Sequence, residues 1–147
     1  MSTFFYKCLV PSLKNKIATD IAVDYKREYD ENHKIPSETV EGLFKIINIF
    51  RNVCAHEERM YNQVVQKTPK NKIVTMIINV PNSQLESGRV FTLLCYLKLV
   101  LTKKQHKDLV RKLSILFAKY QRDKFFTVPF EDIQREMGFP VDWKKYF

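Results

Sequence analysis

The segment NIFRNVCAHEERMYN, residues 48–62, constrains this chain more than any other. Drawn as the second half of a long helix at about 100° per residue, it joins Phe50, Val53, Cys54 and Tyr61 to Leu43, Ile46 and Ile47 of the first half on one side, the side that packing would bury. Asn48, Asn52 and His56 recur every four residues and Arg59 follows three later, so their side chains share a stripe roughly 80° wide. Arg51 lies just off the edge of that stripe and is long enough to reach into it. One helix therefore carries a core face and, opposite it, an imidazole, two amides and two guanidiniums. Glu57 is the misfit: it projects near the middle of the apolar face, so either it pairs with a buried cation or the face is rotated.

The rest of the chain reads as helices that could pack on this one. Residues 1–10 are aromatic and apolar (Phe4, Phe5, Tyr6, Leu9, Val10) and form either the end of a helix or an apolar arm. After Pro11, with Ser12 as candidate cap, Leu13, Ile17, Ile21 and Tyr25 keep helical spacing to about Asp30. A loop, 31–34, closes with Ile35 and Pro36. Ser37 is then the expected cap of the helix that runs through Gly42 to about Asn62, with Glu38 and Glu41 in its first turns. Residues 63–82 are expected to form one long ordered loop, with a turn at Pro69 to Lys72 and a short extended piece at Ile73 to Ile78. Ser83 with Glu86 predicts a capping box before an apolar helix over 85–101 that contains Phe91, Leu94, Cys95, Leu97 and Leu99. Thr102 with Gln105 predicts a second box, opening a helix with Leu109, Val110, Leu113, Leu116, Phe117 and Tyr120 on one side. Its other side is cationic: Lys103, Lys104, Lys107, Arg111, Lys112, Lys119 and Arg122. Phe130 to Met137 is a short helix ended by Gly138 and Pro140, and Trp143 is expected to dock on the core. The expected fold class is an all-α bundle in a single domain spanning residues 1–147.

Charge and cysteines narrow the function. Twenty-five Lys and Arg against 16 Asp and Glu leave a net +9, which favours a phosphate-bearing partner or an anionic surface. No apolar run approaches the roughly 20 residues of a membrane span, and MSTFFYKCLV lacks the pattern of a signal peptide. Cys8, Cys54 and Cys95 are odd in number and far apart, against a disulfide framework and against zinc spacing. The expectation is a cytoplasmic protein with buried free thiols. His33 and His106 lack ligand-spaced partners and read as surface residues. Glu57 and Glu58 are adjacent, and adjacent helical residues do not face each other, which argues against a paired-carboxylate hydrolase built on them.

An Arg followed five residues later by His is a weak motif alone. A histidine bonded to a neighbour on an amphipathic helix would look the same. The surrounding residues are more specific. RNVCAHEERMYN resembles a segment of the abortive-infection (Abi-like, AbiD/AbiF-type) family with the form RN-x-CAH-x-x-R-x-aromatic-N. It is matched here by Arg51, Asn52, Cys54, Ala55, His56, Arg59, Tyr61 and Asn62. Phe5, Tyr6 and Leu9 look like the family's FY-x-x-L. Met137 to Pro140 with Asp142 and Trp143 look like its closing MGFP-x-DW. Members are typically longer at the N-terminus, so this is a short member or the C-terminal part of a longer architecture. The Arg and His also resemble the signature of the HEPN ribonuclease superfamily.

That resemblance implies a HEPN-like helical bundle that dimerises through the motif helix and cleaves RNA without a metal or other cofactor. It implies a role in phage abortive infection or as a toxin restrained by an antitoxin of RNA or protein. One toxin subtype has a tyrosine two residues after the histidine; Glu58 stands there, so that subtype is not expected. The residues suit the chemistry independently. RNA brings its own 2′-hydroxyl nucleophile, and cleavage then needs proton transfer and a cation for the developing charge. His56 is the side-chain type that titrates near neutrality, Arg51 grips phosphate in a fork, and Asn52 positions. Asn48 and Arg59, with Lys103, Lys107 and Arg111 on the cationic helix, are candidate RNA contacts. Arg59 as a solvated arginine, the lysines as an ordinary solvated face, and Tyr61 as a core residue are the plainer readings. A non-catalytic RNA-binding or dimerisation module is the alternative function.

Overall fold

The computed structural model describes residues 2–66, 72–122 and 127–147. Among them are eight α-helices, one 3-10 turn and no strand: α1 (Ser2–Cys8), α2 (Pro11–Tyr29), α3 (Ser37–Ala55), α4 (Lys72–Ile78), α5 (Asn82–Glu86), α6 (Val90–Leu97), α7 (Lys103–Arg122) and α8 (Phe130–Glu136), then the 3-10 turn Trp143–Tyr146. The all-α expectation holds.

The core is built on α3 and α6. Leu43, Ile46, Phe50 and Val53 are buried along α3, each worth about 1.5–3 kcal/mol on transfer from water. α3 packs on α1, α2 and α6. Tyr6 fixes α1 there by donating its hydroxyl proton to the Ser37 carbonyl at 3.1 Å. α6 is the most apolar helix and buries six of its eight residues, including Phe91, Leu94, Cys95 and Tyr96. At the other end of the core, Phe91, Phe117, Phe139 and Trp143 meet edge to face. Trp143 is buried, as expected.

Local chemistry departs from expectation at several helix ends. Ser12 and Ser37 do not cap. Prolines set both starts: Pro11 occupies the first turn of α2, and extended Pro36 precedes α3 with no side-chain cap bond. Pro needs no N–H donor partner in a first turn. The 73–78 run is helical, not extended, because Val74, Ile77 and Ile78 bury at helical spacing. Packing there outweighs the few tenths of a kcal/mol that β-branching costs a helix. Of the turn expected at Pro69 to Lys72, residues 69–71 lie outside the described residues. The helix expected over 85–101 is two helices. Gly88, at φ 61°, turns the chain between α5 and α6, and Pro81 rather than Ser83 precedes α5. The second capping box forms as read: the Gln105 amide donates to Thr102 Oγ1 at 3.2 Å and the Thr102 amide to Gln105 Oε1 at 3.0 Å.

His106 and the thiols are also corrected. His106 is buried, because it lies on the same side of α7 as Leu109, Leu113 and Phe117. It faces the Leu94 carbonyl at 3.3 Å and the Phe147 ring. Cys8 and Cys54 are exposed, and only Cys95 is a buried thiol. No described helix is long and apolar enough to cross a membrane.

Candidate functional site

The motif helix ends earlier than its pattern suggests. α3 stops at Ala55, His56 caps it, and Glu57 takes the left-handed conformation at φ 54°. The Glu58 amide donates to the Val53 carbonyl at 3.0 Å and the Glu57 amide to Cys54 at 3.3 Å. These are the paired bonds of a Schellman ending, with Glu57 where glycine or asparagine is usual. Glu57 is thus neither on the apolar face nor paired with a buried cation: it is exposed at the turn. The chain then doubles back beside α3. Cys54 Sγ and Met60 Sδ lie 3.9 Å apart, Lys45 donates to the Gln66 carbonyl at 2.8 Å, and the Val65 amide donates to Gly88 at 2.8 Å.

This ending sets what the motif presents. Arg51, Asn52 and His56 are all exposed on the last turn and a half of α3. Arg51 Nη1 donates to Asn52 Oδ1 at 3.3 Å, so the guanidinium and the amide share one patch of surface. Asn48 is half-buried one turn earlier and is engaged with a neighbour. Arg59 is exposed too, but it follows the turn and does not continue the helical stripe. Tyr61, read as core, is exposed, because it also lies beyond the turn. Two grooves lie elsewhere, one against the C-terminal segment and one between α2 and the loop before α3. The three motif side chains stand on the surface of the single chain.

Lys103, Lys107 and Arg111 are exposed on α7. They stand on a different helix from the α3 cluster: the main packing partners of α3 are α1, α2 and α6, and that of α7 is α8. Arg111 and Lys112 share the Asp108 carboxylate, at 2.6 and 2.8 Å, and hold its pKa below the ordinary carboxylate value. His33 pairs with Glu31 at 3.0 Å. Among the described residues, no group of three His, Cys, Asp or Glu side chains is placed to hold a metal ion.

Sequence reasoning missed the turn at Glu57 and the burial of His106. The second had a signal, since 106, 109, 113, 117 and 120 keep one helical spacing. The first had none, because glutamate does not advertise a left-handed position.

The fold and this surface define an all-α bundle with an Arg, Asn and His cluster at an exposed helix end. Residues 1–62 are similar to the Abi-like protein family, whose model matches that span. The match ends at Asn62 and includes the whole RN-x-CAH segment; the MGFP segment lies beyond it. No curated protein and no solved structure matches the chain.

Proposed function

We propose that this chain is a HEPN-type endoribonuclease that acts in abortive-infection defence. The observation that carries the reading is the exposed Arg51, Asn52 and His56 cluster inside the span similar to Abi-like proteins. His56 accepts the 2′-hydroxyl proton of the substrate, the oxygen attacks the adjacent phosphorus, and the P–O5′ bond breaks as the 5′-oxygen takes a proton from solvent water, to which His56 afterwards returns its own. The products are a 2′,3′-cyclic phosphate and a 5′-hydroxyl. Arg51 stabilises the negative charge that builds on the phosphoryl oxygens, and Asn52, already bonded to Arg51, orients that guanidinium. The nucleophile belongs to RNA, so the reaction is expected to proceed in a chelator.

Arg51 and His56 are five residues apart, about 140° around the helix and about 7.5 Å along it. Two copies meeting around a two-fold axis would bring both motifs to one cleft, an arrangement that homodimers build readily. The decisive experiment compares wild type with His56→Ala on a labelled RNA in EDTA. Loss of cleavage with the fold intact supports the reading. Cleavage by the variant at the wild-type rate, from contaminant-free preparations, rejects it.

A further inference from the structure

α7 is 20 residues long, about 30 Å. Its apolar side, with Leu109, Leu113 and Phe117, is turned into the protein. The outward side carries Lys103, Lys104, Lys107, Arg111, Lys112, Lys119 and Arg122, all exposed, against the single carboxylate of Asp108. Lys103, Lys107 and Arg111 follow one another at successive turns, about 6 Å apart. Further along the same edge, Ser114, Ala118 and Gln121 form one wall of a cleft of about 750 Å³ whose other parts include Arg135, Lys144 and Lys145. Glu131 and Asp142 also line it. Lys145 lies 3.7 Å from Asp142, and Arg135 pairs with Asp132 at 2.6 Å.

We propose that this edge, from Lys103 through Lys107 to Lys144 across the cleft, is a docking track for the sugar–phosphate backbone of RNA, separate from the α3 motif. The choice of RNA among polyanions rests on the nuclease reading; the track itself rests on its charge and its continuity with the cleft. A membrane surface fits less well. An interfacial helix sinks its apolar face into lipid, and here that face is spent on the core, leaving only Ile115 and Leu116 exposed among the cations. Backbone docking reads charge and spacing, so its strength falls with salt in proportion to the phosphates engaged.

The test measures binding of a 2′-O-methyl RNA, which has the phosphates but no free 2′-hydroxyl, so its outcome does not depend on cleavage. The triple variant Lys103→Gln, Lys107→Gln, Lys144→Gln is compared with an equally neutralised control, Lys16→Gln, Lys26→Gln, Lys34→Gln, on α2 and its following loop. With about 0.7 per contact on a single strand, the track variant lowers the log–log salt slope by about 2 and weakens binding roughly a hundredfold at 0.1 M salt. The control changes binding a few-fold. Equal losses in the two triples would reduce the effect to net charge and overturn the proposal. Binding of phosphatidylserine vesicles that depends on the triple, with RNA binding unchanged, would overturn it in favour of lipid.

Discussion

Glu57→Gly should stabilise the protein. Glu57 sits at φ 54°, a conformation that costs an L-residue about 1–2 kcal/mol and glycine nothing. Against this, glycine adds freedom to the unfolded chain, worth about 0.4–1 kcal/mol. Both bonds of the turn are backbone bonds, from Glu58 to Val53 and from Glu57 to Cys54, and survive the change. The side chain is exposed, so little packing is lost. The net gain is about 0.5–1 kcal/mol, or about 1–4 °C in Tm for a chain of this size. Urea unfolding followed by circular dichroism measures it as a higher midpoint with an unchanged slope. Glu57→Ala is the control: it removes the same carboxylate but keeps the Cβ, and should show none of the gain. A glycine variant no more stable than the alanine variant would refute the claim that the left-handed backbone is the source of strain. Equal cleavage rates in the two variants would show that any change in activity comes from the lost charge and not from the turn.

Gly138→Ala should do the opposite: at φ 79° a new Cβ would lie 2.9 Å from Arg89 Cβ, and neither atom is a flexible end. A loss of about 1–3 kcal/mol is expected in the same urea assay. His106 should make stability fall in acid. Burial holds its pKa below 6.5 and Lys98 adds to this, while the bond to the Leu94 carbonyl opposes it. The unfolded chain then takes up the proton first, so stability is full above pH 6.5 and falls as pH drops from there toward the lowered folded pKa. His106→Gln should flatten unfolding midpoints across that window; an unchanged pH profile would count against the burial.

Periodicity made most of the bundle legible. The stripes Leu43, Ile46, Phe50, Val53 and Leu109, Leu113, Phe117 were enough to orient α3 and α7, and the Thr102–Gln105 box placed the start of α7 to the residue. What failed depended on choices that periodicity does not rank. Ile73 to Ile78 is a short apolar run whose β-branched residues suit a strand, and only the neighbours that bury Val74 and Ile78 decide for a helix. Gly88 interrupts an apolar stretch that reads as continuous, since a glycine inside a helix such as Gly42 is tolerated in the same chain. His106 was misread through its residue type, against its own position on the apolar stripe.

The candidate site was legible as a set of residues and not as a shape, for one reason. Three described non-glycine residues take a positive φ: Asp30, Glu57 and Asn79. Asp30 and Asn79 follow α2 and α4, and both are types that tolerate this conformation; the end of α2 near Asp30 could be read, whereas α4 itself reads as an extended piece. Glu57 is the exception. A glycine would end α3 at lower cost, yet a glutamate stands there, directly after the imidazole proposed to move the proton. Strain held where a cheaper residue would serve tends to mark positions that answer to something besides stability. The same turn stops the polar stripe at His56 and sends Arg59 and Tyr61 off the helix. A motif that looks like one continuous face is therefore a helix end followed by a return strand of chain, with the histidine at the corner.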